Sequence, residues 1–421
     1  MFKFLTKGLL RDRTRSFFPI LIISAGVMLT VVVYSWLMGY LTMTIQENAR
    51  FDTGHVKIIT RAYHEMIDQK PFDLGIIGIK EMEAELQKEY PEMTWLPRIY
   101  FGGLLDLPDE KGETKEQGEV MGMAVDLFSN SKELELLNLD KAIYTGKLPQ
   151  KSGEILISYE LTEKLGIKLN DKVTIISSTM YGSMAMQNFT VSGTVIFGIM
   201  GMDRGAVITD ISDAQLLLDM ENAASEILGF LPLYNQEQTM IIADNFNKKF
   251  MDEKDEFSPV MLPLISQNNL EIMLSMINER SGMFIFIFVF LMSLVLWNSG
   301  LMNGIRRYGE IGVRLAIGES KGHIYRSMIL ESLFVGIAGT VIGTATGLIF
   351  SYILQYIGID ISSLMKDTKM IMSTTMKAQV TPVSYYIGFL PGVLSSVIGA
   401  MIPGIGIYKR NTAQLFKELE T

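Results

Sequence analysis

Apolar residues fall along this chain in two patterns, and the switch between them divides it into parts. Four runs, 17–43, 283–302, 328–356 and 385–407, are apolar on all sides and long enough to cross about 30 Å of hydrocarbon as helices. Between the first two, residues 46–270 alternate in short runs bounded by Gly, Asn and Asp. Segments 55–60, 119–124, 154–158, 172–177, 189–195 and 206–209 read as strands. Helical spacing appears at 77–88, 159–165, 212–220 and 237–250, with Ser212 placed to cap its helix. The expected architecture is a membrane α-helical protein with four transmembrane helices, one plus three, and a large α+β extracytoplasmic domain between spans 1 and 2. The helices at 77–88 and 237–250 each lie between extended segments. That predicts an α+β subdomain split in sequence around a strand-rich insertion at about 120–225.

A different pattern joins the second and third spans. In the loop 303–327, Ile305, Tyr308, Ile311 and Leu315 recur every three or four residues, on one face of a helix. Arg306, Arg307, Glu310 and Arg314 fall between them, and Gly318 ends the helix. This amphipathic helix offers a docking surface.

Charge then orients the chain. Segment 1–16 carries five basic residues, Lys3, Lys7, Arg11, Arg13 and Arg15, against Asp12. The loop 303–327 and the tail 408–421 are basic as well, so both termini are expected in the cytoplasm of a cytoplasmic (inner) membrane protein. The domain at 46–270 and the short loop 357–384 then lie outside. The net charge of −9 reflects carboxylates concentrated in that domain, so no nucleic-acid partner follows. The first span reads as an uncleaved signal anchor, its apolar run being too long for a signal peptide. Phe2, Leu5, Leu9 and Leu10 among basic residues make segment 1–16 either an amphipathic helix on the inner leaflet or an ordinary basic flank. A chain that is 48% hydrophobic and has no Cys fits this layout.

Catalytic chemistry is not indicated. His55 and His64 miss the i, i+4 spacing of a helical metal pair, and no G-x-S-x-G elbow frames a serine. No G-x-x-x-x-G-K-[ST] loop is present, and the cytoplasmic pieces are too small for a nucleotide-binding domain. No metal or cofactor is expected on this chain, and the energy for any work it does must come from another chain. The loop 179–188 carries Met180, Tyr181, Met184 and Met186 where a hairpin is normally polar. These side chains either form a flexible contact surface or tuck beneath the loop. In the third span, Gly336, Gly339, Gly343 and Gly347 form a ladder that lets helices approach closely. Glu331, one turn beyond Ser327, is costly in a membrane; a structural hydrogen-bonding role is preferred to a functional one.

The pattern Glu310-x-Gly312-x-x-x-Ala316-x-Gly318, at the start of the last three spans, resembles the FtsX/MacB-type (type VII) permeases of ABC transporters. Glu331 and the glycine ladder match as well. So do Gly146-Lys147-Leu148-Pro149, Gly153-Glu154-Ile155-Leu156-Ile157-Ser158, Leu165-Gly166-Ile167 and Phe189-x-Val191-x-Gly193 in the outer domain. Length, Gly54-His55-Val56 and the 189–219 stretch are most similar to the lipoprotein-releasing LolC/LolE branch. The resemblance implies a permease subunit, not an enzyme, coupled through Arg306, Arg307, Glu310, Gly312, Arg314, Ala316 and Gly318 to a separate ATPase dimer. It implies a second permease copy or paralogue, and a lipoprotein or lipid cargo passed to a periplasmic lipoprotein carrier. The alternative is efflux or mechanotransmission, for peptides, drugs or cell-wall hydrolase control. In the lipoprotein branch the counterpart of loop 179–188 is a hook that holds the carrier; here it is short and has no Pro. The chain also departs at its end, with Pro403-Gly404 and Asn411-Thr412-Ala413. Trp36, Tyr40, Met43, Met283 and Phe286 are candidates for a cleft that takes up the lipid.

Overall fold

One helix, α1 (Arg13–Asn48), opens the structure and winds into a π-helical turn, Ala49–Thr53, before Gly54 releases the chain at φ +59°. The structure is a computed structural model that describes residues 13–129, 131–251, 255–267, 308–360 and 370–409, with separate positions between 270 and 298. Two units result. One holds 1–43, 274–359 and 375–421; the other, the sheet domain, holds 44–273 and 360–374.

The sheet domain runs in order through β1 (Val56–Thr60), α2 (Ile79–Glu89), β2 (Thr94–Pro108), β3 (Thr114–Val125), α3 (Ser131–Leu137), β4 (Ile143–Gly146) and β5 (Glu154–Ser158). It continues through α4 (Tyr159–Leu165), β6 (Lys172–Ser178), β7 (Met184–Val195), β8 (Ala206–Asp210), α5 (Ile211–Leu218), β9 (Glu226–Phe230), α6 (Gln236–Lys249) and β10 (Pro259–Pro263). Strand order is β10-β1-β9-β2-β3-β8-β5-β7-β4, while β6 pairs with both β2 and β7. The strands β2, β3, β8, β5, β7 and β6 therefore close a ring, and closure removes exposed edges.

β2 belongs to both halves of this domain. Its first part, Thr94 to Arg98, pairs with β9, and its remainder, from Ile99, pairs with β3. The strand-rich part thus begins inside β2, ahead of the position near 120 that the sequence suggests. Pro97, Gly102 and Gly103 interrupt the alternation and hide one continuous strand from a period-two reading. Burial explains the ring: Phe101, Leu105, Val120, Ile155, Ile157, Val173, Ile175, Phe189, Val191 and Val207 share one apolar core.

Local signals set the helix ends. The Ser158 side chain accepts a hydrogen bond from Leu161 N–H and starts α4, which Gly166 ends in the left-handed region. Asp210, rather than Ser212, caps α5: its carboxylate accepts from Ser212 N–H at 2.9 Å, and a carboxylate is the stronger acceptor.

In the helical unit, α7 (Tyr308–Ala316) precedes α8 (Lys321–Ile357), and α9 (Ser395–Lys409) closes the described chain. Among the described residues, three stretches are long and apolar enough to span a membrane: Phe17–Thr53, Lys321–Ile357 and Pro382–Met401. The remaining expected span, 283–302, lies largely outside the described residues. Its described positions, such as Met283, Phe286 and Phe290, are helical. Segments 1–12 and 410–421 also lie outside them.

The glycine ladder is where α1 and α8 meet. A Cβ on Gly339 would lie 2.7 Å from Ile23 Cγ2, one on Gly343 2.5 Å from Ser24 O, and one on Gly347 2.9 Å from Val31 Cβ. Ser24 Oγ donates to Gly339 O at 3.1 Å across the same contact. Gly336 instead faces Ser396 of α9. Hydrogen at these positions permits the backbone approach that lets dispersion and short polar contacts hold helices in lipid.

Candidate functional site: the helix at 308–316 and its connections

Within α7, the stripe residues Ile311 and Leu315 face α8. Ile311 is buried, and Leu315 packs with it against Ile324 and Met328 at the start of α8. These two positions of the expected docking face are therefore used to hold α7 on α8. The outward side carries Val313, 45% exposed, and Ile317, 81% exposed, a large apolar exposure for a single side chain. Ala316 is exposed too, whereas Gly312 is buried.

The turn into α8 is fixed by Gly318 at φ +94° and by Arg314, whose guanidinium donates two bonds to the Glu319 carboxylate at 2.6 and 2.7 Å. That hydrogen bonding to Arg314 holds the Glu319 carboxyl below its usual range. Arg314 is thus committed to shaping the turn. Arg306 and Arg307 lie outside the described residues, and Glu310 falls on α7 itself. Val313 and Ile317 escaped the sequence reading because they sit off the main stripe. Their own i, i+4 spacing was the available signal.

From α7 the contacts continue along one helix. α8 carries the glycine ladder against α1, and Glu331 lies half-buried on it, beside Ser332, which donates to Ser396 O at 2.5 Å. Away from the ladder, α1 exposes Phe18, Ile22, Leu29, Trp36 and Tyr40 at four- and seven-residue intervals, one apolar stripe. Met43 is half-buried, while Met283 and Phe286 are exposed. Among the described residues, these five cleft candidates do not share one buried apolar cluster.

Inside the sheet domain, the end of the first helix is gripped by a buried charge cluster that the sequence reading missed. Lys57 Nζ lies 2.9 Å from a Glu226 oxygen and 3.4 Å from Asp52 in the π-helical turn. The other Glu226 oxygen accepts from Tyr63 Oη at 2.7 Å. Burial, together with Glu226 beside it, pushes the Tyr63 phenol far above its ordinary value. Arg98 pairs with Glu133 at 2.7 Å and donates to Phe51 O, which also accepts from Tyr100 Oη at 2.9 Å. Lys57, Arg98, Glu133 and Glu226 are all essentially inaccessible to solvent. The clue was an ionisable residue inside an apolar strand, as in Val56-Lys57-Ile58-Ile59. Its partner lies on another strand and could not be found by spacing.

His55 is held nearby. Its Nδ1 accepts from Leu231 N–H at 2.9 Å between the rings of Phe230 and Tyr234, and burial lowers its pKa to about 4.

The hairpin expected at 179–188 is tighter than its sequence suggests. Thr179 N–H donates to Ser183 O, and β7 already begins at Met184. Met180 folds back onto the core, while Tyr181, Met184 and Met186 are 72, 76 and 63% exposed. Met186 stands in register with Ile176, and Ile176 with Leu104, so the apolar row crosses three strands.

Residues 282–412 match the model of the FtsX-like permease C-terminal family. Two curated relatives, each described as "Lipoprotein-releasing system transmembrane protein LolC", from Xylella fastidiosa strains Temecula1 and 9a5c, are each 24% identical over 250 residues. The alignment takes in 57% of this chain and 56% of theirs, so the chain spans little more than half the length of the curated relatives it matches. The solved periplasmic region of MacB from Actinobacillus actinomycetemcomitans aligns with 55% of this chain and 98% of its own, at 11% identity and a TM-score of 0.37.

Proposed function

We propose that this chain, whose residues 282–412 match the FtsX-like permease C-terminal family, is the permease subunit of an ABC transporter that extracts lipoproteins from the outer leaflet of the inner membrane and passes them to a periplasmic carrier. A separate ATPase, with ATP and Mg bound there, supplies the energy. The observation that carries this reading is α7: a short helix fastened to α8 by Ile311 and Leu315, yet turning Val313 and Ile317 outward. Such a helix receives force from a partner and delivers it to α8, whose ladder passes it to α1.

The similarity to LolC and the apolar stripe on α1 support a lipid cargo. Burial of each acyl CH₂ is worth about 0.8 kcal/mol, so leaving the bilayer requires a replacement apolar surface. The stripe from Phe18 to Tyr40, with Met43, Met283 and Phe286, supplies that surface in a cleft completed by a second permease. The exposed Met184 and Met186 row offers the carrier an adaptable contact.

Reconstitution with the ATPase and a second permease tests the cargo. Acylated lipoprotein should stimulate ATP hydrolysis and appear in the soluble fraction with the carrier; deacylated lipoprotein should do neither. Equal stimulation by peptides or drugs would replace this reading with efflux.

A further inference from the structure

The chain between α8 and the last span does not simply turn back. Residues 370–374 form part of the sheet domain. Ile371 is fully buried there, in one apolar cluster with Leu137, Leu139, Phe197, Ala206 and Ile208. Its N–H donates to Ile196 O at 2.8 Å, and Met372 N–H donates to Phe197 O at 3.1 Å. A strand-like extension just beyond β7 thus receives it.

The receiving edge is shaped for this segment. Gly198 stands at φ +80°, and a Cβ there would lie 3.0 Å from Met370 Sδ and 3.1 Å from Met372 Cβ. The Asp203 carboxylate accepts from Phe197 N–H at 2.6 Å and Gly198 N–H at 3.1 Å, which fixes the bend. Further along, within the helical unit, the same connection is fastened again. Gln379 N–H donates to Ser35 O at 2.8 Å, and only hydrogen fits at Gly39, against the backbone of Lys377.

We propose that residues 370–374 are a docking strap: the connection ahead of the last span plugs Ile371 into the sheet domain, so that movement of the membrane helices reaches this domain along the strap as well as along α1. The sheet domain is already joined to the helical unit at its two chain ends, near 43 and 274, and this segment adds a further attachment. The inference rests on the permease reading for its purpose, but not for its geometry.

The test uses the full chain in lipid nanodiscs, without ATPase. The Ile371 and Met372 amides should exchange at least about 100-fold more slowly than open-loop amides. Ile371→Asp should abolish that protection, and Ile371→Val should keep it. Because the chain lacks Cys, a single dye on Lys115→Cys reports the sheet domain alone. Its residual anisotropy should fall in the Asp variant and remain in the Val variant. Unprotected amides in the parent chain, or unchanged anisotropy once protection is lost, would overturn the strap. A complex that binds its ATPase yet transports nothing counts against the function proposed above and leaves both strap readouts valid.

Discussion

Removing Lys57 while leaving Glu226 in place is the most demanding test of how the first helix is anchored. Lys57→Met keeps the length of the side chain and deletes its charge. Glu226 then stays at 0% exposure without its Lys57 partner, hydrogen-bonded to Tyr63 Oη. Breaking a buried pair on one side costs about 3–5 kcal/mol, because the remaining charge keeps its desolvation penalty. For a domain of this size each kcal/mol moves the midpoint by about 2–4 °C, so a fall of roughly 10 °C is expected. The paired change Lys57→Met with Glu226→Leu removes both charges and should recover most of the loss, leaving about 1 kcal/mol for the orphaned Tyr63 hydroxyl. The assay is thermal unfolding of the full chain in nanodiscs, followed by Trp95, a buried reporter on β2, with Trp36 and Trp297 replaced by Phe. A single-variant cost below about 1 kcal/mol, or a double variant whose losses simply add, would refute the reasoning.

Other expectations follow from the same geometry. Gly343→Leu must push α8 off Ser24 and Val27, at about 1–3 kcal/mol of overpacking; release per ATP should fall about tenfold while hydrolysis continues, and unchanged release would exclude the ladder as a force path. Ile317→Asp should weaken ATPase binding without loss of thermal stability, whereas Ile311→Asp should lower stability itself; measuring both separates docking from packing. For His55, the folded-state pKa of about 4 lies below the ordinary 6.5. Its contribution, about 3 kcal/mol, is therefore complete above pH 6.5 and lost as pH falls towards 4. His55→Phe should flatten that stretch of the stability profile, and an unaltered acid slope would remove His55 as its cause.

How much of this was legible beforehand varied with the range of the interaction. β5 and α4 stood out in sequence because Gly153, Ser158 and Gly166 punctuate them with turn and cap chemistry that acts over a few residues. The glycine ladder was equally plain, since helical period alone puts Gly339, Gly343 and Gly347 on one face. β2 was hidden because Pro97 and the Gly102–Gly103 pair look like breaks, and only its partners β9, β3 and β6 make it one strand. The inward turn of Ile311 and Leu315 depends on Ile324 and Met328 beyond a turn whose direction Gly318 sets. Lys57 with Glu226, and Ile371 with Phe197, are separated by long stretches of chain. Periodicity carries no information about such pairs.

The central claim is that α7 is a passive input surface, driven by another chain. A photoreactive residue at Ile317 in the reconstituted transporter tests it directly. Crosslinks to the ATPase are expected, with no ATP hydrolysis or release by this chain alone and both once the ATPase is present. Hydrolysis or vectorial release by the isolated chain, with no crosslink formed at Ile317 in the full complex, would contradict it.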